Sequence, residues 1–212
     1  MATRAADTRS RRYDPAETRL RVLEAANHLF STQGFAKTGT ADIARAADVS
    51  EGSIFYHFGS KRSLLEELGR TYGERMVEAM RGTDDSLDPG VTIQRCFDYC
   101  ETQKTWEKIV HANSQDGKKG GMHANPEAEP FYQASRDVVV RWSEDKFRRM
   151  ADHYGLKLDA EITAALVYSV VGAALDMAFG PDVSDTTRDR VKAETIRFAR
   201  AACGIDEVFG SG

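Results

Sequence analysis

Between Thr38 and Leu65 the chain reads TGTADIARAADVSEGSIFYHFGSKRSLL. Hydroxyls, the His57 imidazole and the Lys61 ammonium are concentrated in this stretch. Such groups are phosphate ligands, and a helix N-terminus adds its dipole to them. The stretch reads as a short helix, a tight turn, a second short helix ending in aromatics, and the basic start of a third. That is a helix-turn-helix, which sets one helix in the major groove of DNA. A second chemistry is open at Cys96 and Cys100, which are four apart and share a helix face. With His111 or His123 they would suit thiol-based redox or metal sensing, although two cysteines do not complete a zinc site and free cysteine is commonly buried. DGKKGG lacks the Walker spacing. No nucleophile–base pair, metal triad or cofactor loop supports a helical enzyme or small-molecule carrier, so neither a cofactor nor a metal is expected.

Several elements must position these groups. Val22, Ala26, Leu29 and Phe30 recur at helical spacing, widened by Leu23, and predict a helix over about 17–32 that Gly34 stops. Helices over about 40–46 and 51–57 follow. Ala44 and Ala47 are small enough for a steep crossing, and Asp48 tolerates the left-handed turn between the two helices. Ile43, Val49 and Ile54 pin the angle. Ser50 caps the second helix, with Glu51 in its first turn where the dipole favours an acid. Ser60 caps a fourth helix to about residue 81. Further helices are expected over about 91–111, 131–153, 159–179 and 184–203, with loops at GTDDSLDPG and SQDGKKGGMHANPEAEP. No alternating β pattern occurs, so the expected fold is all-α, with about nine helices.

At 41% hydrophobic and 29% charged residues, the composition is that of an ordinary globular protein able to bury a core. No apolar run long enough for a membrane span is free of charges or of small and polar residues, and no membrane partner is expected. The polar, basic start has no signal-peptide core. Three cysteines make no disulfide framework. Cytoplasmic residence is the simplest reading. Residues 1–62 hold ten Lys+Arg against seven Asp+Glu, a net +3, whereas the remainder nets −7. A modestly basic front can approach phosphates while an acidic remainder points away. Residues 1–16, with Arg4, Arg9, Arg11 and Arg12 and ending near Pro15, read as a disordered arm. It is either simply solvated or adds phosphate or minor-groove contacts.

The segments RVLEAANHLFSTQGF and TADIARAADVSEGSIFYHFGSKRSLL, with the all-helical remainder, resemble the TetR family of transcriptional regulators. The detailed likeness covers about residues 18–65. It implies a three-helix DNA-binding domain over 17–62, a connecting helix over 63–81, and a larger helical ligand-binding and dimerisation domain over 82–205. The helix over 51–57, opened by Ser50, would lie in the major groove, with Glu51, Gly52, Ser53 and Phe55 toward bases. Tyr56, His57 and Lys61 would lie near phosphates, and Thr38 and Thr40 would grip the DNA backbone. Three positions depart from the family pattern. Gly39 replaces a usual Thr or Ser. Phe55 replaces a common Tyr and offers a ring to a thymine methyl. Glu51 replaces a frequent Lys, Arg or Gln and would accept from cytosine N4. These changes point to an individual operator.

In the C-terminal half, Ile162, Leu166, Val170, Ala173 and Met177 form one stripe, and Val167, Val171, Ala174 and Ala178 an adjacent one. A helix so widely apolar is buried on two sides. The last helix offers Val191, Phe198 and Ala202. These residues are either the core of one domain or, as the resemblance implies, a four-helix interface between two copies. A two-fold dimer would read two half-sites about one turn apart, roughly 34 Å. The resemblance also implies a small-molecule cavity among the middle helices. Candidate lining residues are Phe97, Tyr99, Cys100, Trp106, Phe131, Trp142, Asp176 and Met177, although aromatics at this spacing serve equally as core. They would suit a largely apolar or aromatic effector. The expected protein is a homodimeric repressor that binds a palindromic double-stranded operator and is released when a small effector shifts the fourth helix. The alternative signals are a protein partner or thiol redox or metal chemistry.

Overall fold

The computed structural model describes residues 14–103, 126–179 and 182–205. The arm to residue 13, Trp106, His111, His123 and the DGKKGG segment lie outside the described residues. Among the described residues the chain forms eight α-helices and no strand: α1 Pro15–Gln33, α2 Thr40–Ala47, α3 Glu51–Phe58, α4 Lys61–Arg81, α5 Pro89–Gln103, α6 Glu129–Tyr154, α7 Ala160–Ala178 and α8 Asp185–Ala202. A short 3-10 turn, Pro126–Ala128, leads into α6.

Local chemistry sets the boundaries. Pro15 opens α1 instead of closing an arm, because the Asp14 carboxylate accepts from Ala16 N at 2.9 Å and proline is pre-set for the first helical position. Asp48 ends α2 in the left-handed region, at φ 53° and ψ 51°, as its sequence position predicts. Ser50, Ser60, Asp159 and Ser184 each accept a backbone N–H as N-caps of α3, α4, α7 and α8. Gly39 caps α2 without a side chain, and the Asp42 carboxylate compensates by accepting from Gly39 N at 3.3 Å.

Three apolar clusters hold the helices together. The first joins Val22, Ala26 and Phe30 of α1 to Ile43, Ile54, Phe58 and Leu64, and extends into Phe131 and Tyr132 of α6. The second gathers Met76, Val77 and Met80 of α4 around Ile93, Phe97, Val139, Leu175 and Ala199. The third packs Phe147 and Met150 against Ala164, Cys203 and Ile205. The α4–α6 contact is the tightest. A Cβ placed on Gly69 would lie 2.1 Å from the Phe131 carbonyl oxygen, and one on Gly73 would lie 2.8 Å from that of Ser135. Only glycine permits this approach.

α7 is unusual in what it leaves uncovered. Its length and composition would allow it to cross a membrane, yet only 17% of its apolar window is buried. Ile162, Leu166 and Met177 are exposed by 57%, 62% and 64%, and Phe198 of α8 by 48%.

Candidate functional site

The helix-turn-helix head presents α3 outward. Tyr56 is 80% exposed and Phe55 48%, while Ile54 and Phe58 on the opposite face are buried in the first cluster. Glu51 and Gly52 are exposed, and Ser53 and His57 half-buried. A Cβ on Gly52 would meet only the Ser50 hydroxyl, at 3.8 Å, so this surface has room for a close neighbour. The Thr40 hydroxyl donates to the Glu51 carboxylate, tying the start of α2 to the start of α3. Ser50 accepts from Ser53 N at 3.2 Å and its hydroxyl lies 2.8 Å from that of Ser53. Arg19 donates to the His57 carbonyl at 3.3 Å and to Glu67, and its guanidinium stacks on Phe58.

Two residues expected at the DNA backbone are committed elsewhere. Thr38 is buried. Its hydroxyl donates to the Gly34 carbonyl at 2.7 Å and accepts from Gln33 at 3.2 Å, so its side chain seals the α1–α2 turn. Lys61 donates to the carbonyls of Phe35 and Thr38 at 2.9 and 3.0 Å. Two of its three donors are thereby used inside the head.

Below the head, α4, α5, α6 and α7 line a cavity of about 70 Å³, enough for several waters. Tyr72, Met76 and Met80 line it from α4, and Tyr168, Val171 and Leu175 from α7. Along α6 the lining runs from Phe131 through Ser135, Val139 and Trp142 to Lys146 and Phe147, about 24 Å at the helical rise. The upper end, at Phe131 and Tyr132, is shared with the core of the head. Near the lower end, the Lys146 ammonium donates to the Ser86 carbonyl in the loop before α5. Burial raises the pKa of the lining tyrosines, that of Tyr168 to about 12, so they stay neutral. Burial has the opposite sign for an amine and lowers that of Lys146 to about 8.

Of the residues expected to line a cavity, Phe131 and Trp142 do. Phe97 and Cys100 instead fill the second cluster, and Tyr99 packs against its edge. Met177 points out to the exposed face of α7. Asp176 lies beside the cavity and interacts electrostatically with the lining Tyr132; Trp106 is outside the described residues. Tyr72, Met76, Tyr132, Tyr168 and Lys146 were not anticipated. The signal available for the first two was the apolar face of α4; Lys146, in RWSEDKFRRM, reads as a surface residue. The Cys100 thiol is pushed well up by its hydrogen bond with Cys96 and by burial, which disfavours the thiolate that redox or metal chemistry needs. Among the described residues no group of three or more His, Cys, Asp and Glu is placed to hold a metal.

Residues 22–68 match the family model described as bacterial regulatory proteins, tetR family. The chain is 39% identical over 75 residues to the probable HTH-type transcriptional regulator ArpR of Pseudomonas putida, covering 34% of this chain and 36% of that one. It is 30% identical over 95 residues to the HTH-type transcriptional repressor KstR2 of Mycobacterium tuberculosis, covering 44% and 45%. The first matched stretch thus spans about a third of its relative's length. Among solved structures, the chain resembles the SmeT–triclosan complex with a TM-score of 0.60 and 22% identity, over 87% of this chain and 90% of that one. At that identity the likeness is one of fold.

Proposed function

We propose, from the premise that this chain belongs to the TetR family of helix-turn-helix transcriptional regulators, that it is a cytoplasmic, ligand-responsive repressor acting as a homodimer on a palindromic operator. In this reading Phe55, Tyr56, Glu51, Gly52 and Ser53 meet base edges and phosphates, and the Glu51 carboxylate is aimed by Thr40 toward a cytosine amine. The exposed stripe of Ile162, Leu166 and Met177, flanked by Val170, Ala173, Phe198 and Ala202, is the dimer face. It supports that role because a contiguous apolar patch of this kind rarely stays in water. Val191 packs inward against the second cluster and stands at the edge of that face.

The observation that carries the reading is continuity. Phe131 and Tyr132 belong both to the cavity wall and to the core of the DNA-binding head. A molecule that displaces them changes the seat of the head. In a dimer this alters the distance between two reading helices, and a coupling of about 1–3 kcal/mol would change operator affinity about 5- to 150-fold. The cavity's largely apolar lining favours an apolar or aromatic effector, and the solved complex of a structural relative with triclosan supports a small molecule over a protein partner.

The test is selection of bound duplexes from a random pool by the full chain, followed by release with candidate small molecules. An enriched inverted repeat, bound with a steep salt dependence, is the expected result. Enrichment of no sequence overturns the reading.

A further inference from the structure

Among the described residues that line the cavity, Lys146 is the single charged side chain, and it is only 3% exposed. A buried ammonium is costly unless it is paired. Among the described residues it donates to one carbonyl, that of Ser86, and lies 5.7 Å from the centre of the Trp142 ring. The nearby acids are held by arginines, although one buried oxygen of Asp85 accepts no hydrogen bond. Asp85 pairs with Arg149 at 2.9 Å, and Asp88 is held by Arg200 at 2.6 and 3.1 Å and by Gly90 N at 2.7 Å. Among the described residues no carboxylate stands within ion-pairing distance of the Lys146 nitrogen.

On the reading that this cavity is the effector site, we infer that the effector is an organic acid whose carboxylate pairs with Lys146 and whose apolar body extends along α6 toward Tyr72 and Phe131. The charge of the site selects the head group. Lys146 is a compact single cation with three donors, one of them on Ser86, which leaves two for the oxygens of a carboxylate. A doubly charged phosphate is better matched by a second cation or an arginine fork, and among the described residues the lining has neither. The rest of the wall selects the body: methionines adapt to its shape, and valines, leucine and aromatic rings accept it. The lowered pKa of Lys146 fits an ammonium that lacks its anion, since a bound carboxylate would restore it.

The test uses the full-length protein and calorimetric titration at pH 7 with three matched series: straight-chain carboxylates, 1-alkanols and 1-alkylamines of six, eight and ten carbons. The carboxylate is expected to bind at least about tenfold tighter than the alcohol of equal length, and the amine most weakly. In Lys146→Met the alcohol should still bind and the acid's advantage should fall to within about twofold. Equal binding of acid and alcohol by the unmodified protein overturns the acid assignment and leaves the cavity as effector site. An undiminished acid preference in Lys146→Met also overturns it. Binding by none of the three series overturns the effector-site reading and the acid assignment together. If Lys146→Met does not fold by circular dichroism, the ranking of the three series on the unmodified protein decides.

Discussion

The Lys61 ammonium donates to the Phe35 carbonyl at 2.9 Å and also lies 4.2 Å from the centre of the Phe35 ring. One residue thus clamps the first turn of α4 onto the turn between α1 and α2. A surface lysine waiting for phosphate would be removed at little cost, whereas this one would not.

Lys61→Ala is accordingly expected to lower the stability of the head by about 1–3 kcal/mol, the range for losing charged hydrogen bonds to partly buried carbonyls. Operator affinity should fall in parallel. Tyr56→Ala, whose side chain is 80% exposed, should weaken operator binding with the thermal midpoint unchanged. Chemical denaturation and gel shift on the two variants separate these roles. A Lys61→Ala protein as stable as the original would refute the clamp.

Thr38→Val keeps shape and removes the hydroxyl that donates to Gly34 and accepts from Gln33. The expected cost is about 1–2 kcal/mol in urea unfolding, from the buried carbonyl left without a donor. No change in stability would mean that the hydroxyl does not serve the turn.

Gly52→Ala and Gly69→Ala make opposite demands. At Gly52 the new methyl meets only the Ser50 hydroxyl at 3.8 Å, so folding should be unaffected while operator affinity drops if α3 lies against DNA. At Gly69 the methyl would press on the Phe131 carbonyl at 2.1 Å, so the helices must part and stability should fall by roughly 2 kcal/mol or more. Thermal melts and operator titrations of both variants would reveal the contrast. Normal operator binding by Gly52→Ala would count against α3 as the reading helix.

Leu166→Glu places a charge in the middle of the exposed stripe of α7. The expected outcome is a monomer in sedimentation equilibrium at micromolar concentration, where the unmodified protein is expected to sediment as a dimer. A dimer that survives this change would locate the interface elsewhere.

The pH dependence of stability should carry a Lys146 signature. Its folded-state value, near 8, lies below the ordinary lysine value, so between about pH 8 and 10.5 the unfolded chain binds more protons and stability from this group rises with pH. Below pH 8 both states are charged and the burial cost is fully present, about 3 kcal/mol at 1.36 kcal/mol per unit. The groups around it are Asp85, Asp88, Arg95 and Arg149, together with Cys203 and the Arg200 that holds Asp88. Comparing unfolding of the original and Lys146→Met between pH 7 and 10 isolates the contribution. A difference that does not change with pH would rule it out.

Much of the helical frame was legible because its boundaries rest on local chemistry. Ser50, Asp48 and Ser60 act within one turn of their own positions, and the structure uses each as its residue type suggests. Pro15 was misread because a proline marks a helix start as readily as a chain break, and Asp14 decides between them. The cavity was far less legible. Phe97 and Phe131 are alike in type and both sit on amphipathic helices, yet Phe97 only fills a core while Phe131 also walls a void. That difference depends on how four helices meet, which periodicity does not encode. Asp176 and Met177 show how narrow the margin is, since one residue turns a helix face by about 100°. One of them lies beside the cavity and the other faces outward.

The absent side chains of Gly69 and Gly73 have a mechanical consequence. At these two points backbone is seated on backbone, with no flexible side chain between α4 and α6 to absorb a displacement. A shift of the Phe131 backbone by a fraction of an ångström would therefore press directly on α4 at Gly69. Gly69 lies eight residues, about 12 Å, from Lys61, where α4 grips the head. The pair of glycines is therefore the stiff joint of a lever whose short arm ends at the clamp on Phe35 and whose long arm runs along the cavity.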